Sequence, residues 1–412
     1  MKVKSNVQAA ASRLGIEKLR KFQINPINSV LDKHDTMVIA PTSAGKSAVY
    51  QVPALIGEVS HKWTLVIEPT LALIADQVRK LQKLGIAAEM LTSQNNDKHV
   101  KILEALQAKK VSIVYITPER LRSFNFHYVV QNNPPWLAVI DEAHCVLDWG
   151  FTFRRDYLQI KEFIGGLKRR PVIIALTATA PPKYRDIIKL LLAMKQPNAY
   201  VSDLTRSNLI LLKEDCSRLS IKRRMSRVTY NIMKYGEDGR VIVYCATRKN
   251  VDAIFNYLKK KFPGQVVKCH AYMEQEKRDK YGMLFINGTK SIMVATTAFG
   301  MGVDVPDIRL VVHFNLPLSA IDYYQQVGRA GRDGNRSHAV LLHDPKDIEL
   351  NKHVLKKENL SETAQKWQQN RLTEMASIAE GDECLMQRLL EALGEKDVKK
   401  CRYCTNCQKK KR

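Results

Sequence analysis

Met37-Val38-Ile39-Ala40-Pro41-Thr42-Ser43-Ala44-Gly45-Lys46-Ser47 decides how the rest of this chain is read. Its apolar start reads as a buried strand; Pro41 and Thr42 stop that strand, Gly45 opens a loop, and Lys46-Ser47 lead into a helix-compatible segment. Strand, loop and helix in that order place backbone N–H groups and the positive end of a helix dipole around an anion. Such a loop holds phosphate through Thr42, Ser43, Ala44 and Gly45, with Lys46 neutralising the β- and γ-phosphates and Ser47 carrying a magnesium ion. The usual motif opens on glycine, where this chain has Ala40, and a lysine behind a glycine also suits a solvated helix start.

On either side of this stretch the pattern alternates. Residues 1–36 show helical spacing through Val7, Ala11, Leu14, Phe22, Ile27, Val30 and Leu31. Strand candidates follow at 37–40, 65–68, 111–117, 136–140 and 172–176, with helical stretches at 71–84 and 98–108 between them. Short, continuously apolar strands separated by helices predict a parallel sheet covered on both faces. A polar, basic stretch at 200–239 interrupts the rhythm, which resumes with strands at 241–244, 266–270, 292–296, 310–314 and 339–342. The same architecture is thus expected twice, but the second copy has no phosphate-loop sequence and so no second nucleotide site. After Asp344 the chain reads as helical, charged and cysteine-terminated.

At 412 residues the chain has room for about two or three domains. Lys and Arg number 66 against 41 Asp and Glu, a net charge of +25. That imbalance implies a polyanionic partner, and nucleic acid suits it better than a membrane because no basic amphipathic helix with a strong apolar face stands out. The basic runs at 168–170, 218–227, 259–261 and 409–412 are dispersed, and any one of them also suits a solvated face. No apolar run approaches the roughly 18 residues of a membrane span, and the N-terminus lacks the apolar core of a secretory signal.

Asp141-Glu142-Ala143-His144 ends the candidate strand at 136–140. Adjacent carboxylates at the carboxyl end of a parallel strand sit where α/β sheets place ligand groups: Asp141 to hold magnesium through water, Glu142 to polarise an attacking water. Acids at a helix start are also favoured by the helix dipole alone. Trp149, Phe153 and Arg154 offer two stacking faces and a cation, suited to single-stranded bases, among Asp148, Gly150 and Arg155 that favour a loop over a core stripe. Cys401, Cys404 and Cys407, with Cys384 upstream, provide four thiolates for one tetrahedral ion. Zinc suits that set; an iron–sulfur cluster also uses this spacing, usually with a further cysteine close behind that is followed by proline.

Together with Leu176-Thr177-Ala178-Thr179, these motifs resemble a superfamily 2 helicase. Leu19-Arg20-Lys21-Phe22-Gln23, the aromatic-rich segment at 145–157, the segment at 294–304 and Tyr323-Tyr324-Gln325-Gln326-Val327-Gly328-Arg329-Ala330-Gly331-Arg332-Asp333-Gly334 narrow the resemblance to the RecQ family. It covers nearly the whole chain in order. It implies an α/β fold of two tandem RecA-like parallel-sheet lobes, at 1–205 and 206–344, followed by a small helical zinc-binding subdomain at 345–412. It implies ATP, Mg2+ and Zn2+ as cofactors, with the cysteines as zinc ligands. Arg20 and Gln23 are expected at the adenine, Ile16 standing where an aromatic residue usually stacks on it. Gln325, Arg329 and Arg332 are expected to act at the γ-phosphate, and Thr70, Thr117, Arg248, His270 and Thr296 on the nucleic-acid backbone.

The expected function is that of an ATP-dependent DNA helicase moving 3′ to 5′ on single-stranded DNA and unwinding forked or tailed duplex, with roles in DNA repair and recombination. The expected location is cytoplasmic, at the nucleoid in a bacterium or in the nucleus of a eukaryote. Only five residues follow Cys407, so a short form is expected, without the winged-helix wedge of longer members and with a protein partner to replace it. Two other functions fit the same residues: a DNA-stimulated ATPase that translocates, anneals or remodels without unwinding unaided, and a zinc-dependent DNA-binding scaffold with a vestigial ATP site.

Overall fold

The computed structural model describes residues 5–41, 44–148, 155–297, 299, 305–357 and 361–409. The chain divides into two compact units, Met1–Asp203 and Leu204–Arg412. In the first, α1 (Ser5–Arg13) and α2 (Lys21–Leu31) precede β1 (Thr36–Ile39), α3 (Ala48–Glu58), β2 (Thr64–Ile67), α4 (Leu71–Lys83), β3 (Ala88–Leu91), α5 (His99–Gln107) and β4 (Ile113–Ile116). Then come α6 (Phe124–Asn132), β5 (Leu137–Ile140), α7 (Cys145–Asp148), α8 (Gln159–Gly165), β6 (Val172–Thr177), α9 (Pro182–Leu191) and β7 (Asn198–Val201).

The strands form one parallel seven-stranded sheet in the order β3-β4-β2-β5-β6-β1-β7. Strands β1, β2, β4 and β5 are buried at every position. A strand covered by helices on both faces has no solvent side to mark with polar residues, hence the uninterrupted apolar runs. The helices supply the cover: α4 buries Ile74, Val78 and Leu81 at i, i+4 and i+7, while Asp76 pairs with Arg79 and Lys80 away from the core. Because all the strands run the same way, the loops after β1, β2, β5 and β6 open on one edge of the sheet.

The second unit opens with β8 (Leu209–Asp215), α10 (Ile221–Tyr235), β9 (Arg240–Tyr244), α11 (Arg248–Lys261), β10 (Val266–Cys269) and α12 (Gln275–Ile286). It continues through β11 (Ile292–Ala295), β12 (Ile308–His313), α13 (Ala320–Val327) and β13 (Ser337–His343), and ends in α14 (Lys346–Lys356), α15 (Glu362–Glu380), α16 (Leu385–Ala392) and α17 (Thr405–Lys409). Its six strands are parallel, in the order β10-β11-β9-β12-β13-β8.

The stretch at 200–239 is not a polar interruption. It holds β8 and the 15-residue α10. Leu209, Ile210 and Leu211 are buried against β13, while Lys213, Glu214 and Asp215 finish the strand at the sheet edge, and this change of character along one strand hid it. The basic run at 218–227 is likewise divided. Arg224 is buried, 2.5 Å from Asp347 and 3.4 Å from Asp344, and donates to the carbonyls of Leu342 and Phe314, so it holds the unit together. The helical pattern at 1–36 is broken between Arg13 and Lys21, and Cys384 caps α16 from outside the helix. Among the described residues no helix is long and apolar enough to cross a membrane.

Candidate active site

Lys46 lies between β1 and α3, buried, with its ammonium donating to the carbonyls of Ala40 at 3.1 Å and Pro41 at 3.4 Å. Gly45, just before it, has φ +82°, a conformation that L side chains rarely adopt, and an added Cβ would lie 3.0 Å from Gln23 Nε2. The buried Gln23 amide donates to the Gly45 carbonyl at 2.8 Å and accepts the Arg20 backbone N–H at 2.7 Å. Arg20, Gln23, Ala44, Gly45, Lys46 and Ser47, separated in sequence, therefore belong to one neighbourhood, with Ser47 immediately before the first residue of α3. Thr42 and Ser43 lie outside the described residues.

Two strands away on the same sheet edge, Asp141 and Glu142 leave the end of β5. The Asp141 carboxylate accepts the Glu142 N–H at 2.8 Å, and Glu142 has φ +47°, a strained backbone for a residue with a side chain. The turn is fastened to β6: Ala143 N–H donates to the Leu176 carbonyl, and His144 Nδ1 lies 3.1 Å from Thr177 Oγ1 and 3.3 Å from Glu142 Oε2. Thr177 Oγ1 also donates to the Thr179 carbonyl at 2.9 Å. Burial, and then the Glu142 charge, push the Asp141 carboxyl up to about 6, against the pull of Lys46. Sequence reasoning overlooked a third acid here, Glu68, which directly follows β2 and is 1% exposed. Burial first, then Asp141 and Glu142, hold its carboxyl well above the ordinary carboxylate range. The signal was an acid between an apolar strand and Pro69, which reads as an ordinary strand end.

In the second unit Gln325 lies on α13, and Arg329 and Arg332 lie in the turn that follows it. Arg206 braces this turn by donating to the carbonyls of Gly328, Ala330 and Gly331. Arg329 is buried beside Tyr244; burial pushes that tyrosine's hydroxyl up, and Arg329 and Arg332 pull it partly back.

The four C-terminal cysteines converge. Their sulfurs lie within 4.8 Å of one another, with Cys384 Sγ 3.5 Å from Cys401 and 3.9 Å from Cys404. A tetrahedral ion with sulfur arms of about 2.3 Å requires sulfurs about 3.8 Å apart, so this set fits one zinc ion. Three backbone N–H groups, of Cys401, Leu385 and Cys404, donate to Cys384, Cys404 and Cys401 Sγ respectively, the environment a thiolate needs. The loop is docked on β8, where Lys213 N–H donates to Thr405 Oγ1 and Lys213 Nζ to the Gly381 carbonyl, both at 2.8 Å.

Three families match consecutive parts of the chain: DEAD/DEAH box helicase at 20–187, helicase conserved C-terminal domain at 224–334 and RecQ zinc-binding at 345–408. The probable ATP-dependent DNA helicase RecS of Bacillus subtilis is 34% identical over 84% of this chain and 68% of its own length. The chain belongs to the RecQ family of helicases. The B. subtilis ATP-dependent DNA helicase RecQ is 36% identical over 96% of this chain, which spans 66% of that protein's length. Among solved structures, the helicase MrfA bound to DNA superposes with a TM-score of 0.69 at 20% identity over 86% of this chain and 50% of its own, a likeness of fold. The two sheets are thus RecA-like lobes, and the cysteine cluster is that of the RecQ zinc-binding region.

Of the residues that the RecQ resemblance assigns to nucleic acid, Thr70 and Thr117 immediately precede α4 and the short helix Pro118–Arg122, and Thr70 Oγ1 is buried without a hydrogen-bond partner. Arg248 opens α11, His270 follows β10, and Thr296 follows β11, its N–H donating to the Cys269 carbonyl. His270 is buried, with Nε2 3.6 Å from Asp252. The sequence reading overlooked Tyr272, an aromatic residue among charges, 80% exposed, with the Arg248 guanidinium 4.3 Å above its ring. Trp149, Phe153 and Arg154 lie outside the described residues.

Proposed function

We propose that this RecQ-family chain hydrolyses Mg-ATP to move 3′ to 5′ along single-stranded DNA and to unwind forked or tailed duplex. The observation that carries the reading is the placement of Lys46, Asp141 and Glu142 on one sheet edge, with His144 Nδ1 lying 3.1 Å from Thr177 Oγ1 and 3.3 Å from Glu142 Oε2. In this reading Arg20 and Gln23 hold the base, the backbone from Thr42 to Gly45 cradles the phosphates, and Lys46 neutralises them. Ser47 and Asp141 hold magnesium, which when bound spreads the charge that builds on the phosphate oxygens. Glu142 takes the proton of the attacking water. Gln325, Arg329 and Arg332 supply the remaining charge stabilisation, a contribution of several powers of ten in rate for such arginines.

Thr70, Thr117, Arg248, His270 and Thr296, with Trp149, Phe153 and Arg154, are the proposed contacts to the strand, and the exposed Tyr272 adds a face on which a base can stack. The proposed boundaries are 1–205 and 206–344 for the lobes and 345–412 for the zinc-binding subdomain.

The test is ATP turnover with and without single-stranded DNA, and strand separation on forks with 3′ or 5′ tails. Turnover that Lys46→Ala lowers about a hundredfold or more, with unwinding of 3′-tailed forks, is the expected result. Brisk turnover without strand separation leaves the translocating ATPase. Turnover that is negligible in the parent and unaffected by Lys46→Ala leaves the zinc-dependent scaffold.

A further inference from the structure

Glu68 and Asp141 are neighbours by register. Strands β2 and β5 are paired and parallel with Ile67 opposite Ile140, so the next residue of each, Glu68 and Asp141, leaves the sheet side by side. Backbone bonds fix both exits: Glu68 N–H donates to the Ile116 carbonyl and Asp141 N–H to the Ile67 carbonyl, each at 3.0 Å. Glu142 follows at once, so three carboxyl groups meet at one edge of the sheet, beside the fully buried strands β2 and β5. Lys46 is a cation acting on Glu68, and its ammonium is also engaged by the Ala40 and Pro41 carbonyls.

Glu68 does more than crowd its neighbours. One of its carboxyl oxygens accepts the Thr70 N–H at the start of α4, whereas Oε1 is fully buried with no hydrogen-bond partner. A buried carboxylate oxygen without a donor is costly, and a hydrated cation removes that cost by offering water protons or direct coordination. Magnesium suits the position because it keeps several waters and binds through one or two carboxylates.

We propose that Glu68 is a third carboxylate of the magnesium site, joining Asp141 and Glu142 to hold a hydrated divalent cation in the absence of nucleotide. This rests on the reading of Asp141 as a magnesium ligand. It adds a cation held before nucleotide arrives, and it joins that cation through Thr70 to α4, the helix behind a proposed strand contact.

The experiment uses the full chain, zinc-loaded and nucleotide-free, with Mn2+ as the probe and free Mn2+ read by electron paramagnetic resonance. The parent is expected to take up one Mn2+, Glu68→Gln to bind it at least tenfold more weakly with zinc content unchanged, and Glu68→Asp to stay within a few fold of the parent. If Glu68→Gln does not fold, Glu68→Ser carries the same comparison. Absence of Mn2+ uptake by the parent, or equal affinity in the carboxylate-free variant, overturns the proposal. Since no nucleotide is present, uptake through Glu68 in a chain that does not hydrolyse ATP counts against the motor alone, and a working motor without that uptake counts against this site alone.

Discussion

Arg371 reaches from α15 to the hydroxyl that caps α13: its Nη2 donates to Ser319 Oγ at 2.8 Å. Ser319 Oγ in turn accepts the Asp322 N–H at 3.1 Å and donates to the Asp322 carboxylate at 2.5 Å. Helix α13 carries Gln325 and ends at Gly328, immediately before Arg329. The zinc-binding region thus holds the helix that presents the arginine turn. Arg371→Ala removes a buried guanidinium and should cost about 2–4 kcal/mol in denaturant unfolding. It should also lower kcat for DNA-stimulated ATP hydrolysis about tenfold, with zinc content intact and Arg371→Lys restoring part of the rate. Stability lost with kcat unchanged would mean that the contact serves only the fold.

His313 ends β12, stacked on Tyr244 and edge-on to Tyr323, and burial pushes it down to about 4. Its Nε2–H donates to Gln326 Oε1 at 2.8 Å, while Nδ1 is buried without a partner, so the ring is held neutral. In the unfolded chain the imidazole takes up its proton near 6.5. Between those two values the unfolded state binds more protons, so stability is full above pH 6.5 and falls as the pH drops toward 4, by about 3 kcal/mol from this group. The difference in unfolding free energy between the parent and His313→Gln should trace that fall, and a difference flat with pH would place the protonated ring in a solvated environment.

The same physics separates what could be read in advance from what could not. Strands β1, β2, β4 and β5 are covered on both faces, so each is written as an apolar run. Strand β3 carries Glu89 and Met90 half-buried at the sheet edge, and β8 turns charged halfway; at an edge the sequence owes less to the core, and both passed as loop. The proposed phosphate loop and the paired acids could be picked out in advance because the chemistry proposed for them needs fixed spacing at a strand end. Glu68 was not, because its partners come from β5, some seventy residues on, and only the strand order makes them neighbours. The bond from Gln23 to Gly45 belongs to the same class: family resemblance could assign Gln23 to adenine, but the amide that braces the loop required coordinates.

Cys404 is fully buried at the centre of the sulfur cluster, accepting the Leu385 N–H that starts α16. Cys404→Ser, or removal of the ion by a chelator, should therefore loosen α16, α17 and their docking on Lys213 as one step, because a small all-thiolate site is folded by its metal. Hydrogen exchange read by mass spectrometry is expected to show protection lost at 385–392 and 405–409 and retained in β1 and β5. Elemental analysis should find zinc in the parent, and iron would overturn the assignment.

Gly331 sits between the two arginines with φ +61°, its N–H donating to the Ile308 carbonyl and its carbonyl accepting from Arg206 and Asn208. A Cβ at this position would lie 2.5 Å from Asn208 Nδ2, 2.7 Å from the Asn335 carbonyl and 2.8 Å from Ser337 Oγ, so the clash is with the groups that fix the turn. Alanine also carries a left-handed backbone penalty of about 1–2 kcal/mol, and with the clash Gly331→Ala should cost about 2–4 kcal/mol. Because the displaced turn carries Arg329 and Arg332, while the phosphate loop lies in the other unit, kcat for ATP hydrolysis should fall about tenfold or more and nucleotide affinity should stay within a few fold. Unimpaired turnover in a destabilised Gly331→Ala protein would mean that these arginines need not be held in this geometry to act.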